Sequence, residues 1–306
     1  MWYNINRTGR LGNRLFSRAH VYAAALEYGE TVIDWGVLDF KDYFPNLTKT
    51  KLPIYPFTRE GEIPNYPINK LCNKYTLNVL HKLRPRITGT LGNFWNQHYG
   101  KGNPEDMRTD TKKFQEFVYK NNIVFLNGYK LRCPKWVKKH RIEICKYFQV
   151  PKSYSFKWLK LKNDWKQTYD QIVGLHIRRS DFKTAMRGDF YLSPSEYAEI
   201  LKKKLPIDFN NTLIVVFSED RFIENSQWEA FRTAFSFTNF ILNNGSVIDD
   251  LSGLMSCDKI VGPETSTFSR WAAFAGEKPW AGLSRNSLDT KDLFEFKKCP
   301  IPWDYT

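Results

Sequence analysis

Cysteine is scarce in this chain and badly spaced for structural work. The five residues Cys72, Cys133, Cys145, Cys257 and Cys299 are odd in number, and none forms a CxxC pair. That excludes a disulfide framework and a zinc ribbon, and it points to reduced thiols in a cytoplasmic protein. No apolar run approaches the roughly 18 residues of a membrane span. Met1-Trp2-Tyr3-Asn4 has no charged segment followed by an apolar stretch, so no signal peptide is expected. With 17 Gly and 15 Pro in 306 residues, collagen-like and low-complexity character are excluded. Several chemistries are missing as well. There is no GxSxG elbow, no HExxH and no DxD triplet through which a divalent cation could hold a nucleotide sugar. No metal and no cofactor are therefore expected. His20, His81, His98 and His140 show no ligand spacing and read as structural or exposed.

Aromatic residues and positive charge are plentiful. Ten Trp, 16 Tyr and 23 Phe supply enough apolar surface to rule out disorder. A formal charge of +14 points to anionic partners. Part of the excess is local, in Lys135, Lys138, Lys139, His140 and Arg141 and again in Lys202, Lys203 and Lys204. These clusters read as solvated helix surface or as a peripheral contact with an anionic membrane face. A nucleic-acid-binding protein is the non-enzyme alternative. Against it, no recognised binding module appears and aromatics do not interleave with the basic clusters, so no nucleic acid is expected.

Along the chain, a strand at 2–6, a turn through Gly9 and Gly12, a helix closing at Gly29 and a strand at 31–37 form a β–α–β unit. Seven prolines between Pro45 and Pro104 predict an irregular insertion over about 45–122, with one or two helices. Strand character resumes at 123–129, a helix is expected from Pro134 to about Tyr147, and 150–168 reads as a connector. The second half alternates regularly: strands at 171–177, 212–217, 237–242, 258–262 and 278–283, with helices at Pro194–Lys204 behind a Ser193 cap, at 247–257 and at 266–275. The fold expected is α/β with two facing Rossmann-like domains, 1–160 and 161–306, the last residues packing back on the first domain.

Ligands in open parallel sheets bind beyond the carboxyl ends of the strands. In His176-Ile177-Arg178-Arg179-Ser180-Asp181 an apolar strand runs into two arginines and an aspartate. Burying such an end is costly without an anionic partner. Alternation puts His176 and Arg178 on one side and Arg179 on the other. One arginine can clamp a diphosphate while the other pairs with Asp181 or a neighbouring carboxylate; a surface ion-pair cluster capping the strand is the alternative. Glu264-Thr265-Ser266-Thr267-Phe268 follows a strand and opens a helix, where a phosphate meets free N–H groups; ordinary capping by Ser266 or Thr267 explains the same residues. Ser218-Glu219-Asp220 ends another strand and is a candidate for sugar or guanine contacts, or simply a turn. In Asp249-Asp250 a carboxylate could read the N1–H and amino group of guanine, or be a solvated first helical turn. Gly9-Arg10-Leu11-Gly12-Asn13 is no complete phosphate loop, and its Asn13 could be a helix cap.

In this order the segments resemble the GDP-fucose-dependent fucosyltransferases, most closely the bacterial α-1,2-fucosyltransferases of glycosyltransferase family 11. The resemblance is carried by GRLGNRLFSRA (9–19), the glycine–tyrosine segment at 125–148, HIRRSD (176–181), VFSED (216–220) and 249–273. It implies a GT-B fold of two facing Rossmann-like domains. It also implies inverting, metal-independent transfer of L-fucose from GDP-fucose to a hydroxyl of a glycan acceptor. On that resemblance Arg178 holds the diphosphate with support from Arg179, and Ser266, Thr267 and Phe268 contact phosphate and nucleoside. Asp250 reads guanine, and Gly12 and Asn13 line the sugar pocket. Asp181 and Glu264 are candidate bases. Three departures stand out: Ser180 for the glycine of HxRRGD, Lys130-Leu131 for Trp-Gln, and Arg270 for the first of two tryptophans. The first two leave open another fucosyl linkage; a different nucleotide sugar is the alternative donor.

Overall fold

The computed structural model describes residues 2–4, 6, 9–34, 40, 42–48, 54–56, 93–96, 107–127, 131–178, 191–219, 229, 233, 239–289, 292–298 and 301. The chain divides after Gln149, and the second unit begins at Val150.

In the first unit a parallel sheet is built from β1 (Trp2–Asn4), β2 (Val32–Asp34), β3 (Ile54–Pro56), β4 (Asn93–Asn96) and β5 (Val124–Asn127), in the order β3-β2-β1-β5-β4. Helix α1 (Leu11–Tyr28) connects β1 to β2. Its run Val21-Tyr22-Ala23-Ala24-Ala25 is wholly buried, and small side chains there allow close packing. The helix stops at Gly29, whose φ of 64° is left-handed and whose N–H bonds Ala25 O. Helix α2 (Lys112–Lys120) is capped by Thr111, and α3 (Pro134–Lys139) and α4 (Arg141–Tyr147) follow β5.

Three expectations change here. The helix begins at Leu11 behind Arg10, so Gly12 and Asn13 lie in its first turn and Asn13 is no cap. The single helix expected over 134–147 is two, broken at His140, which caps the first and starts the second. The segment read as an irregular insertion supplies β3 and β4 to the sheet. Each is only three or four residues long, too short for a period-two pattern to be recognised among prolines.

The second unit holds α5 (Lys152–Trp165), β6 (Gln171–Ile177), α6 (Pro194–Lys204), β7 (Thr212–Ser218), β8 (Phe240–Asn243), α7 (Val247–Ser256), β9 (Lys259–Pro263), α8 (Thr267–Gly276) and β10 (Trp280–Leu283). The sheet is parallel throughout, ordered β10-β9-β6-β7-β8. Central β6 and β7 are continuous apolar runs because both faces are covered, and Val173, Leu175, Ile214 and Val216 share one core with Tyr197 and Leu201 of α6. Helix α6 opens on a capping box: the Ser193 hydroxyl accepts from Glu196 N at 3.2 Å, and the Glu196 carboxylate accepts from Ser193 N at 2.6 Å.

The expected connector over 150–168 is a helix for most of its length, and it belongs to the second unit. Its periodicity is poor because Phe156 and Leu159 face solvent while Trp158 is buried. What holds α5 is tertiary. Lys157 Nζ lies 2.9 Å from both oxygens of Asp249, Trp158 Nε1 donates to the same carboxylate at 3.0 Å, and Lys162 Nζ donates to Ser256 O at 3.0 Å. That is why the division falls at 149/150 rather than near 160. The last residues, expected to pack back on the first domain, lie outside the described residues, as does the start of the expected strand at 237–242.

Candidate active site

In the second unit the sheet order reverses beside β6. The chain proceeds from β6 to β7 and β8 on one side, then returns to place β9 and β10 on the other. The carboxyl ends of β6 and β9 therefore flank a topological switch point, where parallel sheets bind ligands.

His176 lies next to last in β6 and is 8% exposed. Across the switch point its Nδ1 is 3.1 Å from the hydroxyl of Ser266. Ser266 caps α8 and accepts a bond from Ser269 N. The ring of Phe268, in the first turn of α8, lies 5.2 Å from the imidazole. This approach depends on Gly262 in β9, where an added Cβ would come 2.6 Å from Ser269 Oγ and 3.3 Å from His176 Cβ. Burial, reinforced by the charge of Arg178 and opposed by Glu219, pushes the His176 pKa down to about 3. The imidazole is thus neutral at physiological pH and can accept or donate a hydrogen bond without adding a buried charge.

Arg178 directly follows β6 and is partly buried. Thr267 is buried in the first turn of α8. Ser218 closes β7 in register with Ile177. Glu264 is exposed just past β9, with its N–H on Leu283 O at 2.7 Å and its carbonyl accepting from Arg270 at 2.6 Å. Arg270 also lies 4.5 Å over the ring of Trp280. Arg179, Asp181 and Asp220, together with Ser180 and Lys130, lie outside the described residues.

The two aspartates of α7 differ in environment. Asp249 is 3% exposed, tied to Lys157 and Trp158, rather than part of a solvated turn. Asp250 is partly buried and accepts from Asn243 Nδ2 at 2.6 Å at the end of β8. His176, Ser266, Thr267, Phe268 and Arg178 thus gather at the switch point. Ser218 and Asp250 lie further along the same carboxyl edge, toward β7 and β8.

Gly12 and Asn13 belong to the first unit, in the first turn of α1 beyond β1. Beside them is a buried polar network that sequence reading missed. Arg18 is wholly buried. Its Nε lies 3.1 Å from Asp34 Oδ2, its Nη2 donates to Asn6 O at 2.7 Å, and its Nη1 donates to Arg14 O at 3.1 Å. Asp34 also accepts from Tyr22 OH at 2.9 Å and from Asn4 Nδ2 at 3.0 Å. The available signal was Arg18 one residue before the apolar, alanine-rich run that fills the middle of the helix. Among the described residues no cluster of three or more His, Cys, Asp or Glu is placed to hold a metal ion, and no helix is long and apolar enough to cross a membrane.

Residues 136–283 match the family model described as Glycosyl transferase family 11, a span that contains the whole switch-point cluster. No curated protein matches by sequence. Among solved structures, an Arabidopsis thaliana FUT1 variant in complex with GDP is 14% identical with a TM-score of 0.60, covering 96% of this chain and 73% of that one. A NodZ α-1,6-fucosyltransferase soaked with GDP-fucose is 12% identical with a TM-score of 0.54, covering 98% of this chain and 99% of that one. POFUT1 in complex with GDP is 15% identical with a TM-score of 0.50, covering 90% and 93%. The fold is that of GT-B enzymes, and the chain resembles the GDP-fucose-dependent transferases of family 11.

Proposed function

We propose that this glycosyltransferase of GT-B fold transfers L-fucose from GDP-fucose to a hydroxyl of a glycan acceptor, with inversion and in α-1,2 linkage. The observation that carries the reading is the His176–Ser266 contact across the β6/β9 switch point, with Arg178 at the end of β6 and the N-terminus of α8 on the other side. A guanidinium, a hydroxyl and helix N–H groups there suit a diphosphate leaving group. The match to family 11 over 136–283 supports glycosyl transfer, and the likeness to fucosyltransferases solved with GDP or GDP-fucose supports the donor.

As the bond from the fucose anomeric carbon to the β-phosphate oxygen breaks, negative charge grows on that phosphate. Arg178, with Arg179 in support, and the Ser266–Thr267 end of α8 stabilise that charge in place of a metal. Phe268 and Ser218 contact nucleoside and sugar, Asp220 is assigned to the same contacts, and Asp250 reads guanine. Asn13, beside Gly12, lines the sugar pocket. The acceptor hydroxyl bonds to the anomeric carbon, and its proton goes to a carboxylate, Asp181 or Glu264.

The test is thermal: GDP at about 100 times its dissociation constant should stabilise the protein by roughly 2.7 kcal/mol, and UDP should not. Transfer from GDP-fucose, run in excess EDTA, should yield an α-1,2 product. Equal shifts with both nucleotides would overturn the donor assignment, and an α-1,6 product would overturn the linkage. A peripheral contact with an anionic membrane face belongs to the same proposal. It is supported by Phe156 and Leu159, 65% and 52% exposed on α5 next to Lys152 and Lys160. Co-sedimentation with phosphatidylglycerol vesicles but not with phosphatidylcholine vesicles checks it.

A further inference from the structure

The acidic pair that opens α7 is divided between two tasks, and one amide side chain stands between them. Consecutive helical residues point about 100° apart. Asp249 therefore turns toward α5, where Lys157 and Trp158 occupy its carboxylate. It cannot swing to a ligand without leaving the cation and the indole N–H that satisfy its buried carboxylate. Asp250 turns elsewhere, its N–H fixed on Ser246 O at 2.9 Å.

Asn243 is the last residue of β8 and is held in register opposite Phe217 of β7. Its Nδ2 donates to Asp250 Oδ1 at 2.6 Å and approaches Asp249 Oδ2 at 3.4 Å. Both hydrogens of one amide thus face the two carboxylates, which settles the amide's orientation. The strand end thereby anchors one oxygen of the Asp250 carboxylate. A guanine presents N1–H and its 2-amino group side by side, so both oxygens must be coplanar with the base to receive them. Each oxygen has two lone pairs, so Oδ1 can hold Asn243 and still accept from a base.

We propose that Asn243 is a positioning residue that sets the Asp250 carboxylate and through it the choice of nucleobase; this rests on the base-reading role proposed for Asp250. The experiment compares GDP with inosine diphosphate, which lacks only the 2-amino group. Binding of each is measured by calorimetry on the full chain, on Asn243→Ala, on the near-isosteric Asn243→Asp and on Asp250→Ala, with melting temperatures alongside. The unaltered protein should prefer GDP. Asp250→Ala should abolish the preference. Both Asn243 variants should narrow it by roughly 10-fold, the scale of one lost hydrogen bond to a charged group, with GDP weakened more than inosine diphosphate. If Asp250→Ala loses the preference while the Asn243 variants keep it, or weaken both ligands equally, Asn243 is structural and the proposal is overturned. If Asp250→Ala keeps the preference, the base reading falls and the positioning role with it.

Discussion

Among the described residues both units carry five parallel strands with the first strand in the middle, yet they differ in strand order and in what their carboxyl edges hold. The second unit runs in the order first, fourth, fifth on one side of centre, and the first unit exchanges its last two strands. In the first unit the edge is closed on itself: Arg18, Asp34, Asn4, Asn6 and Tyr22 are buried and bonded to one another. In the second, polar groups stand at helix starts capped by Ser193, Ser246 and Ser266, and the buried histidine is neutral. Charges neutralised inside the fold serve stability, whereas helix starts offer positive potential to an anion and a neutral imidazole offers a hydrogen bond without added charge. Two similar parallel sheets can thus be tuned for either end by where their ionisable groups are placed.

The largest effect that would sharpen this contrast is Asp34→Ala. It leaves Arg18 buried without its carboxylate and should cost about 3–5 kcal/mol in chemical denaturation. Arg18→Met combined with Asp34→Leu should recover most of that. A single variant that left stability unchanged would remove the contrast from the first unit's side.

Arg178→Lys should lower transfer by about 100-fold at saturating donor, because an ammonium cannot grip two phosphate oxygens at once. Its melting temperature should hold. Arg179→Lys should reduce stability more than turnover. Near-normal turnover in Arg178→Lys would remove the anion site from the second unit.

Two cap variants make a finer comparison. Ser193→Ala and Ser266→Ala should each cost about 1 kcal/mol of stability. Only Ser266→Ala should also slow transfer, since its hydroxyl bonds His176 as well as the helix. Equal kinetic effects would reduce Ser266 to an ordinary cap.

A separate effect is in pH. His176 holds its proton only below about 3 in the folded chain, against about 6.5 when unfolded. As pH falls between those values the unfolded chain gains a proton that the folded one refuses, so stability declines. His176→Asn should flatten this part of the stability–pH curve and leave the region above pH 7 unchanged. An unaltered slope would show that the proton is taken up elsewhere.

Legibility in sequence followed element length and burial. The strand runs QIVGLHI and TLIVVF are apolar throughout because both faces of a central parallel strand are covered, so they stand out unaided. The Ser193 and Ser266 helix starts carry local chemistry, a hydroxyl that accepts from the N–H groups of the turn that follows. Short β3 and β4 carry too few residues to show a period. Helix α5 is stabilised through Asp249, 84 residues beyond its last residue, and its own pattern is blurred by outward Phe156 and Leu159.

The amino-acid sequence by itself determined the alternation of strand and helix, the parallel α/β class and the identity of the residues ending β6 and opening α8, because these depend on local propensity and on apolar runs. Only the tertiary structure decided which of two neighbouring aspartates is locked against α5 and which is set by Asn243. It alone decided that Arg18 and Asp34 neutralise each other, and that His176 meets Ser266 from 90 residues away. Each of those outcomes turns on a distance between groups remote in sequence, and strand order, which no local pattern encodes, sets that distance.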